Sequence, residues 1–412
     1  MPTSDGHRAL ALICLVALAV ATNYTSHGPV IGAIRDEFAL DAGAAGMIAT
    51  SFFLGAATLM LAGGAFADRW GARDPVTVGF LVTCVATVGC GILAPTYPIL
   101  LAWRFVGGVG GGVAFAAGAS YTRDTFSGRG QHFAQGLYGS AFLAGSALPL
   151  LYMPLLAGPG GDWHLAYAIS GLATLGAWIA WWRLAPDGTR RRQGAPAAVP
   201  GTAAAPRRTA PAGSLGGALR SRNTWLLALC HTCGFGLAMV LGTWVVGYLA
   251  DEFAMPIALS GVLGSLVLVL GIAGRSGGSL ALERGMRPLL LIRAGIGLAA
   301  SGLVVMALAG SLPPAFAGLL ATGLGVGLPY AAVFNGAAAG APSSPGSAQA
   351  FVGWGGSLIA IVGPPIVGAL VDAGGGFTSG FLAIAAFAVL VLLATFALRP
   401  ISFDRELSAA GA

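Results

Sequence analysis

The chain has 412 residues, 56% of them hydrophobic and only 9% charged, with a mean hydropathy of +0.81. That balance excludes a soluble globular protein and points to a helical protein that crosses a membrane many times. All 21 basic residues are arginine, so lysine-dependent chemistry is excluded, and the net charge of +6 has to be explained by where the arginines fall.

Arg8 followed by an apolar run to Ala21 imitates a secretory signal, but the apolar stretch continues to about Ile34, so it reads as an uncleaved first span. Apolar windows of membrane length follow in chain order near 9–34, 42–67, 75–94, 97–123, 133–157, 164–184, 224–250, 257–282, 288–308, 313–338, 348–371 and 377–398. Each is near or above the ~20 residues that cross ~30 Å of hydrocarbon. The expectation is an all-α membrane protein of twelve transmembrane helices. Arg8, Arg69, Arg73, Arg123, Arg129, Arg183, Arg284, Arg287 and Arg399 fall on one side, and Arg35 alone falls on the other, beside Asp36, Glu37, Asp251, Glu252 and Asp372. Arginine excess marks the cytoplasmic side, which places both termini in the cytoplasm. The basic balance is thus topological and implies no nucleic acid.

Residues 185–223 are basic and rich in Pro, Ala and Gly, and read as a disordered cytoplasmic linker. The expected organisation is an N-terminal six-helix bundle over 1–184, this linker, a C-terminal six-helix bundle over 224–398 and a cytoplasmic tail over 399–412. The two halves repeat at a constant offset of 215: Asp36-Glu37-Phe38-Ala39 recurs as Asp251-Glu252-Phe253-Ala254, Asp68-Arg69 as Glu283-Arg284, Gly108, Gly110 and Gly112 as Gly323, Gly325 and Gly327, and Pro149 as Pro364. Two parallel repeats suit an axis along the membrane normal.

The loop after span two, Gly64-Ala-Phe-Ala-Asp68-Arg69-Trp-Gly71-Ala-Arg73, resembles the cytoplasmic signature of the major facilitator superfamily, and Arg104-Phe-Val-Gly-Gly108-Val-Gly110 in span four resembles its second motif. The resemblance covers nearly the whole chain. It implies two pseudo-symmetric six-helix bundles and a monomeric secondary transporter without cofactor, working by rocker-switch alternating access in a bacterial inner membrane. It also implies a conformational latch at Gly64, Asp68, Arg69, Gly71 and Arg73, with Glu283 and Arg284 in the second copy, and a bracing or gating role for Arg104. Span five, Gly139 to Pro149, lacks the glycine-proline pair of the drug:proton antiporters, and the second loop copy carries Ser279 and Glu283 where glycine and aspartate are expected.

Arg275 is the residue on which function turns. It lies in an apolar run, Ile257 to Leu282, whose other polar side chains are serines. A guanidinium there is expensive, by roughly 3 kcal/mol or more, and commonly marks a substrate or ion path. It is eight residues, or ~12 Å, from the end of its span. His231, Tyr330 and Trp354 lie at similar depth, and Asn335 shares the span of Tyr330. The offset relates Arg275 to Met60 and Tyr330 to Phe115, so an anion held by the second half against an apolar first half is expected. The run Arg275-Ser-Gly-Gly278 resembles nitrate-, cyanate- and monocarboxylate-type members, in which an arginine at this place binds the negative charge; the second arginine of the nitrate type, in span two, is missing. Guanidinium suits a carboxylate by paired hydrogen bonds. Tyr24 and His27, with Asn23 and Ser26, form a polar cluster in span one that is expected to line the outward half of the cavity.

The expected cargo is therefore a small organic or inorganic anion, monocarboxylate-like, and the rival is a drug or hydrophobic-compound exporter. No Asp or Glu lies within a span, so proton symport would use His27, His231 or the substrate's own protonation; exchange and uniport stay open. Cys230-His231-Thr232-Cys233 suggests a metal transporter as a further alternative, although one helical turn cannot wrap an ion. No enzyme constellation is present.

Overall fold

The computed structural model describes residues 4–126, 128–158, 160–186, 219, 221–341 and 345–398. Almost all of the expected linker and the whole C-terminal tail lie outside the described residues. What is described is helical. In hydrocarbon no water can satisfy backbone N–H and C=O groups, and a helix pairs them all within itself.

The first half comprises α1 (Ser4–Thr25), which continues through a tight turn at Gly28–Val30 into α2 (Ile31–Phe38), then α3 (Ala42–Trp70), α4 (Arg73–Ile92), α5 (Tyr97–Thr125), α6 (Gly128–Ala157) and α7 (Trp163–Leu184). The second half comprises α8 (Arg222–His231), a wide π turn at Thr232–Gly236, α9 (Leu237–Phe253), α10 (Ile257–Glu283), α11 (Pro288–Ala307), α12 (Leu312–Gly327), α13 (Tyr330–Gly340), α14 (Pro345–Gly355), α15 (Ser357–Leu370) and α16 (Gly376–Ala394). Eleven apolar segments are long enough to span a bilayer, and the last, Gly346–Ala397, is 52 residues long. The backbone breaks inside it at Gly374 (φ 84°) and Gly376 (φ 55°), dividing it into two passes. Twelve passes result among the described residues.

The repeat is visible in the backbone. Ala39 and Ala254, 215 residues apart, both adopt the left-handed conformation, at φ 51° and φ 50°, and are the two non-glycine residues that do so among the described residues. Each ends a helix just after the paired Asp-Glu-Phe sequence, so the same local strain is built into both halves.

Small residues set how closely the helices pack. A Cβ added at Gly108 of α5 would stand 1.9 Å from the Phe52 carbonyl of α3, and one at Gly278 of α10 would stand 2.2 Å from the Leu328 carbonyl. Without a hydrophobic driving force between helices in lipid, such close backbone approach supplies the van der Waals contact that holds them.

The halves meet most closely toward the end that carries Asp36, Asp251 and Asp372, called here the acidic end. There a Cβ at Gly28 would fall 2.2 Å from the Gly242 carbonyl, one at Gly261 2.0 Å from that of Leu150, and one at Gly368 2.1 Å from that of Ala42. The hydrogen bonds seen between halves also lie at or on the acidic side of Ala57: His27 to Thr243, Asp372 to the first amides of α3, Thr50 Oγ1 to the Ile361 carbonyl, and Trp354 to Ala57 itself.

Candidate functional site

The α10–α12 crossing positions Arg275. Gly274 and Gly278, four apart on one face of α10, meet α12, where a Cβ at Gly274 would come within 2.5 Å of the Leu324 carbonyl and one at Gly327 within 2.2 Å of the Gly271 carbonyl. Arg275 leaves this seam beside Gly327. There α12 stops, and the Leu328-Pro329 step starts α13 at Tyr330. The break delivers the Tyr330 ring beneath the guanidinium, whose central carbon sits 4.0 Å from the ring centroid. Stacking of a cation on an aromatic face is worth about 1–2 kcal/mol away from water.

Among the described residues the Arg275 guanidinium makes no hydrogen bond and no ion pair. It faces the other half of the molecule: the Cβ position of Gly139 on α6 is 3.9 Å from both Arg275 Nη1 and Tyr330 Oη. The fork therefore neither turns toward lipid nor is taken up by backbone carbonyls.

His231 ends α8, and the π turn that follows directs its ring to the same group. Its ring centroid is 4.9 Å from that of Phe334, edge to face, and 6.1 Å from that of Tyr330, and Phe334 lies 4.6 Å from Tyr330. Neither nitrogen of His231 has a hydrogen-bond partner among the described residues. Phe235, in the π turn, lies nearly parallel to His231 and reaches across to Tyr24, Phe53 and Phe142 at 6.2–6.4 Å. Phe115, the repeat counterpart of Tyr330, packs on Phe142 and Tyr138. The wall opposite the cation is thus apolar and aromatic.

Arg275, His231 and Tyr330 come together as the sequence suggests. Tyr24 joins them at one remove, buried among Phe52, Phe53 and Phe142 in the facing wall. The other residues differ. Asn335 is exposed and sits about 140° round α13 from Tyr330; Phe334 takes the face it was expected to share. Trp354 donates its one polar hydrogen to the Ala57 carbonyl at 3.2 Å, which makes it a tie between halves. His27, expected to line a cavity, is fully buried and both its nitrogens are bonded, one to Arg104 Nη2 at 3.2 Å and the other to Thr243 Oγ1 at 3.0 Å. Asn23 and Ser26 are likewise engaged with Thr87, Tyr167 and Arg104. A polar cluster this dense satisfies itself because each unpaired group would be costly in the membrane interior.

Arg104 is 2% exposed and braces the centre of the first half, its guanidinium carbon 4.5 Å over the Phe52 ring. In the loop signature, Gly71 has φ 83°, a conformation that favours glycine, and ends α3. Arg73 donates to the Trp182 carbonyl at 2.8 Å, tying α4 to α7. Arg69 lies over its neighbour Trp70, and Gly64 has open space where a Cβ would be. The side chain of Asp68 is outside the described set. Glu283 and Arg284 are exposed at the end of α10.

Phe142, Phe235, Phe334 and Gly139 carry no signal of a site role in the sequence. The pair Gly234 and Gly236 was the available signal for the π turn; nothing local marked Gly139, whose importance arises from a residue 136 positions away. Cys230 and Cys233 are buried free thiols, and among the described residues no three of His, Cys, Asp and Glu are grouped to hold a metal ion.

The family model for the Major Facilitator Superfamily matches residues 13–348. The chain belongs to that superfamily. It is 26% identical over 312 residues to a probable sulfoacetate transporter, SauU, of Cupriavidus necator, covering 74% of this chain and 70% of that one. It is 25% identical over 285 residues to a probable nitrate/nitrite antiporter, NarK1, of Thermus thermophilus, covering 66% and 60%. In structure it resembles a bacterial homologue of the human lysosomal transporter Spinster in an inward-facing, unoccupied conformation, with a TM-score of 0.79, 15% identity and coverage of 96% and 97%. This major facilitator is accordingly a multi-pass membrane transporter.

Proposed function

We propose that this major facilitator carries a small organic anion of the monocarboxylate kind, with Arg275 as its charge partner. One observation carries the reading: a guanidinium inside a span, stacked on Tyr330, faces the opposite half without an anion or acceptor of its own among the described residues. A half-buried charge within a span, left in that condition, is stabilised by an anion that arrives from outside the protein. His231 and the Tyr330 hydroxyl add two neutral polar groups beside it. The anion carriers among its relatives support the same reading.

Taking the arginine-bearing end as cytoplasmic, the clamps at the acidic end support the reading of an inward-facing state. Transport then proceeds by rocking of the two bundles about the midplane, the acidic-end clamps parting as the loop signature at Gly64 to Arg73 engages. Proton symport would run through His231 or through the substrate's own protonation, because both nitrogens of His27 are committed.

The aromatic wall of Tyr24, Phe53, Phe142 and Phe235 favours a second reading, export of hydrophobic compounds. Uptake into proteoliposomes separates the two. Under the anion reading, saturable flux of a labelled carboxylate falls at least about 100-fold in Arg275→Ala and partly survives in Arg275→Lys. Saturable flux of cationic drugs that is unaffected by Arg275→Ala would reverse the conclusion.

A further inference from the structure

We infer that the cargo is a monovalent anion with a flat apolar body, of the aromatic monocarboxylate class, rather than a dianion or a bare inorganic oxyanion; the inference rests on the anion reading of Arg275.

Charge sets the first half of the argument. Among the described residues three arginines sit within the body of the spans. Arg104 is engaged by Ser26, His27 and the Ile48 carbonyl, and Arg293 by the Thr395 hydroxyl and carbonyl. Arg275 alone of the three has no such partner, so with His231 neutral the site offers one positive charge. A second negative charge on the cargo would enter a low-dielectric space with nothing to pair it.

The surroundings set the second half. Linked ring to ring from Tyr330, on which the guanidinium stacks, are two layers on opposite bundles: Tyr330, Phe334, His231 and Phe235 on one, Phe115 and Phe142 on the other. Phe142 lies one helical turn along α6 from Gly139, whose Cβ position is in ordinary contact with Arg275 Nη1 at 3.9 Å. Phe142 and Phe235 are in contact, their centroids 6.2 Å apart, so a carboxylate seated on the fork directs its body along α6 by parting this ring pair. A flat ring placed there makes offset or edge contacts with both layers and leaves no polar atom unpaired. Nitrate or acetate would satisfy the fork without reaching the ring pair of Phe142 and Phe235.

The test is binding to the purified full-length protein in nanodiscs by isothermal calorimetry, with benzoate, acetate, nitrate, phthalate and benzamide as probes. The expected result is that benzoate binds at least about tenfold more tightly than acetate, nitrate and phthalate, and that Phe142→Leu and Phe334→Leu reduce this preference while acetate binding stays within about twofold. Acetate or nitrate binding as tightly as benzoate, with loss in Arg275→Ala, would overturn the aromatic body and leave the anion reading standing. Phthalate matching benzoate would overturn the single-charge argument. Benzamide matching benzoate, with both indifferent to Arg275→Ala, would bring down the anion reading itself. Leucine preserves bulk in these variants, and a monodisperse elution profile confirms that each variant is folded before its affinity is read.

Discussion

Arg104 and His27 hold one another in a single protonation state. A guanidinium can only donate, so His27 Nδ1, 3.2 Å from Arg104 Nη2, carries a lone pair, and the ring proton sits on Nε2, where it is given to Thr243 Oγ1 across the boundary between the bundles. Thr243 spends its own hydrogen on the Met239 carbonyl and is left as the acceptor. The chain Arg104–His27–Thr243 is a directed tie that exists only while the acidic end is closed.

His27→Ala or Thr243→Val should therefore favour opening of that end. Loss of one buried hydrogen bond is worth about 1 kcal/mol, roughly a fivefold change in the ratio of states. Spin labels at the exposed positions Asp36 and Ala258 would report it as a longer-distance population in pulsed dipolar spectroscopy. An unchanged distance distribution in both variants would count against the tie.

Asp372 supplies a second clamp of different chemistry. Its two carboxylate oxygens accept from the amides of Ala42 and Gly43, at 3.0 and 2.8 Å, at the amino end of α3 in the opposite bundle. A carboxylate there also meets the positive end of the helix dipole. Asp372→Asn keeps an acceptor but loses the charge, and Asp372→Ala loses both. The same labels should show opening increase in the order wild type, Asn, Ala, and a reversed order would contradict the assignment.

Tyr330 can be separated into ring and hydroxyl. Tyr330→Leu removes the face beneath Arg275 and should weaken anion binding about 5- to 30-fold, whereas Tyr330→Phe keeps the stack and should change it less. Calorimetry on both variants with the anion chosen from the uptake panel checks this. Equal losses in the two would mean that the hydroxyl, and not the face, matters.

At Gly139 a single methyl is tolerated by distance, 3.9 Å being ordinary contact. Gly139→Ala should fold and transport. Gly139→Val, with its branched methyls in the space before Nη1, should fold equally well yet raise KM by more than about tenfold. Transport kinetics beside thermal unfolding curves would show whether the effect falls on binding or on stability.

Two other glycines should behave oppositely. Gly108→Ala puts a methyl 1.9 Å from the Phe52 carbonyl and should lower stability by more than about 2 kcal/mol. Gly64→Ala meets nothing within 4 Å here, so its stability should match the wild type while its transport rate falls, if the loop signature acts in the other conformational state. Thermal unfolding and counterflow measured together distinguish the pair.

The chain alone determined the number of passes, the arginine asymmetry and the repeat, because hydrophobic length, charge placement and a constant offset of 215 are local or additive properties that need no contact map. It also singled out Arg275, since one charge in an apolar run is conspicuous whatever surrounds it. The destination of each polar group was a different matter. His27 and Arg275 both read as ionisable residues within spans, yet Arg104 and Thr243 consume His27 completely, while Arg275 is left facing Gly139. Which of the two is free depends on how α1, α5 and α9 meet, and on the glycine seam between α10 and α12. Those are contacts between residues far apart in sequence, whose distances are decided by backbone packing and by no property of either residue alone. For the same reason Phe142, Phe235 and Phe334 look like ordinary core residues until the tertiary fold links them, ring to ring, to the Tyr330 on which the Arg275 guanidinium stacks.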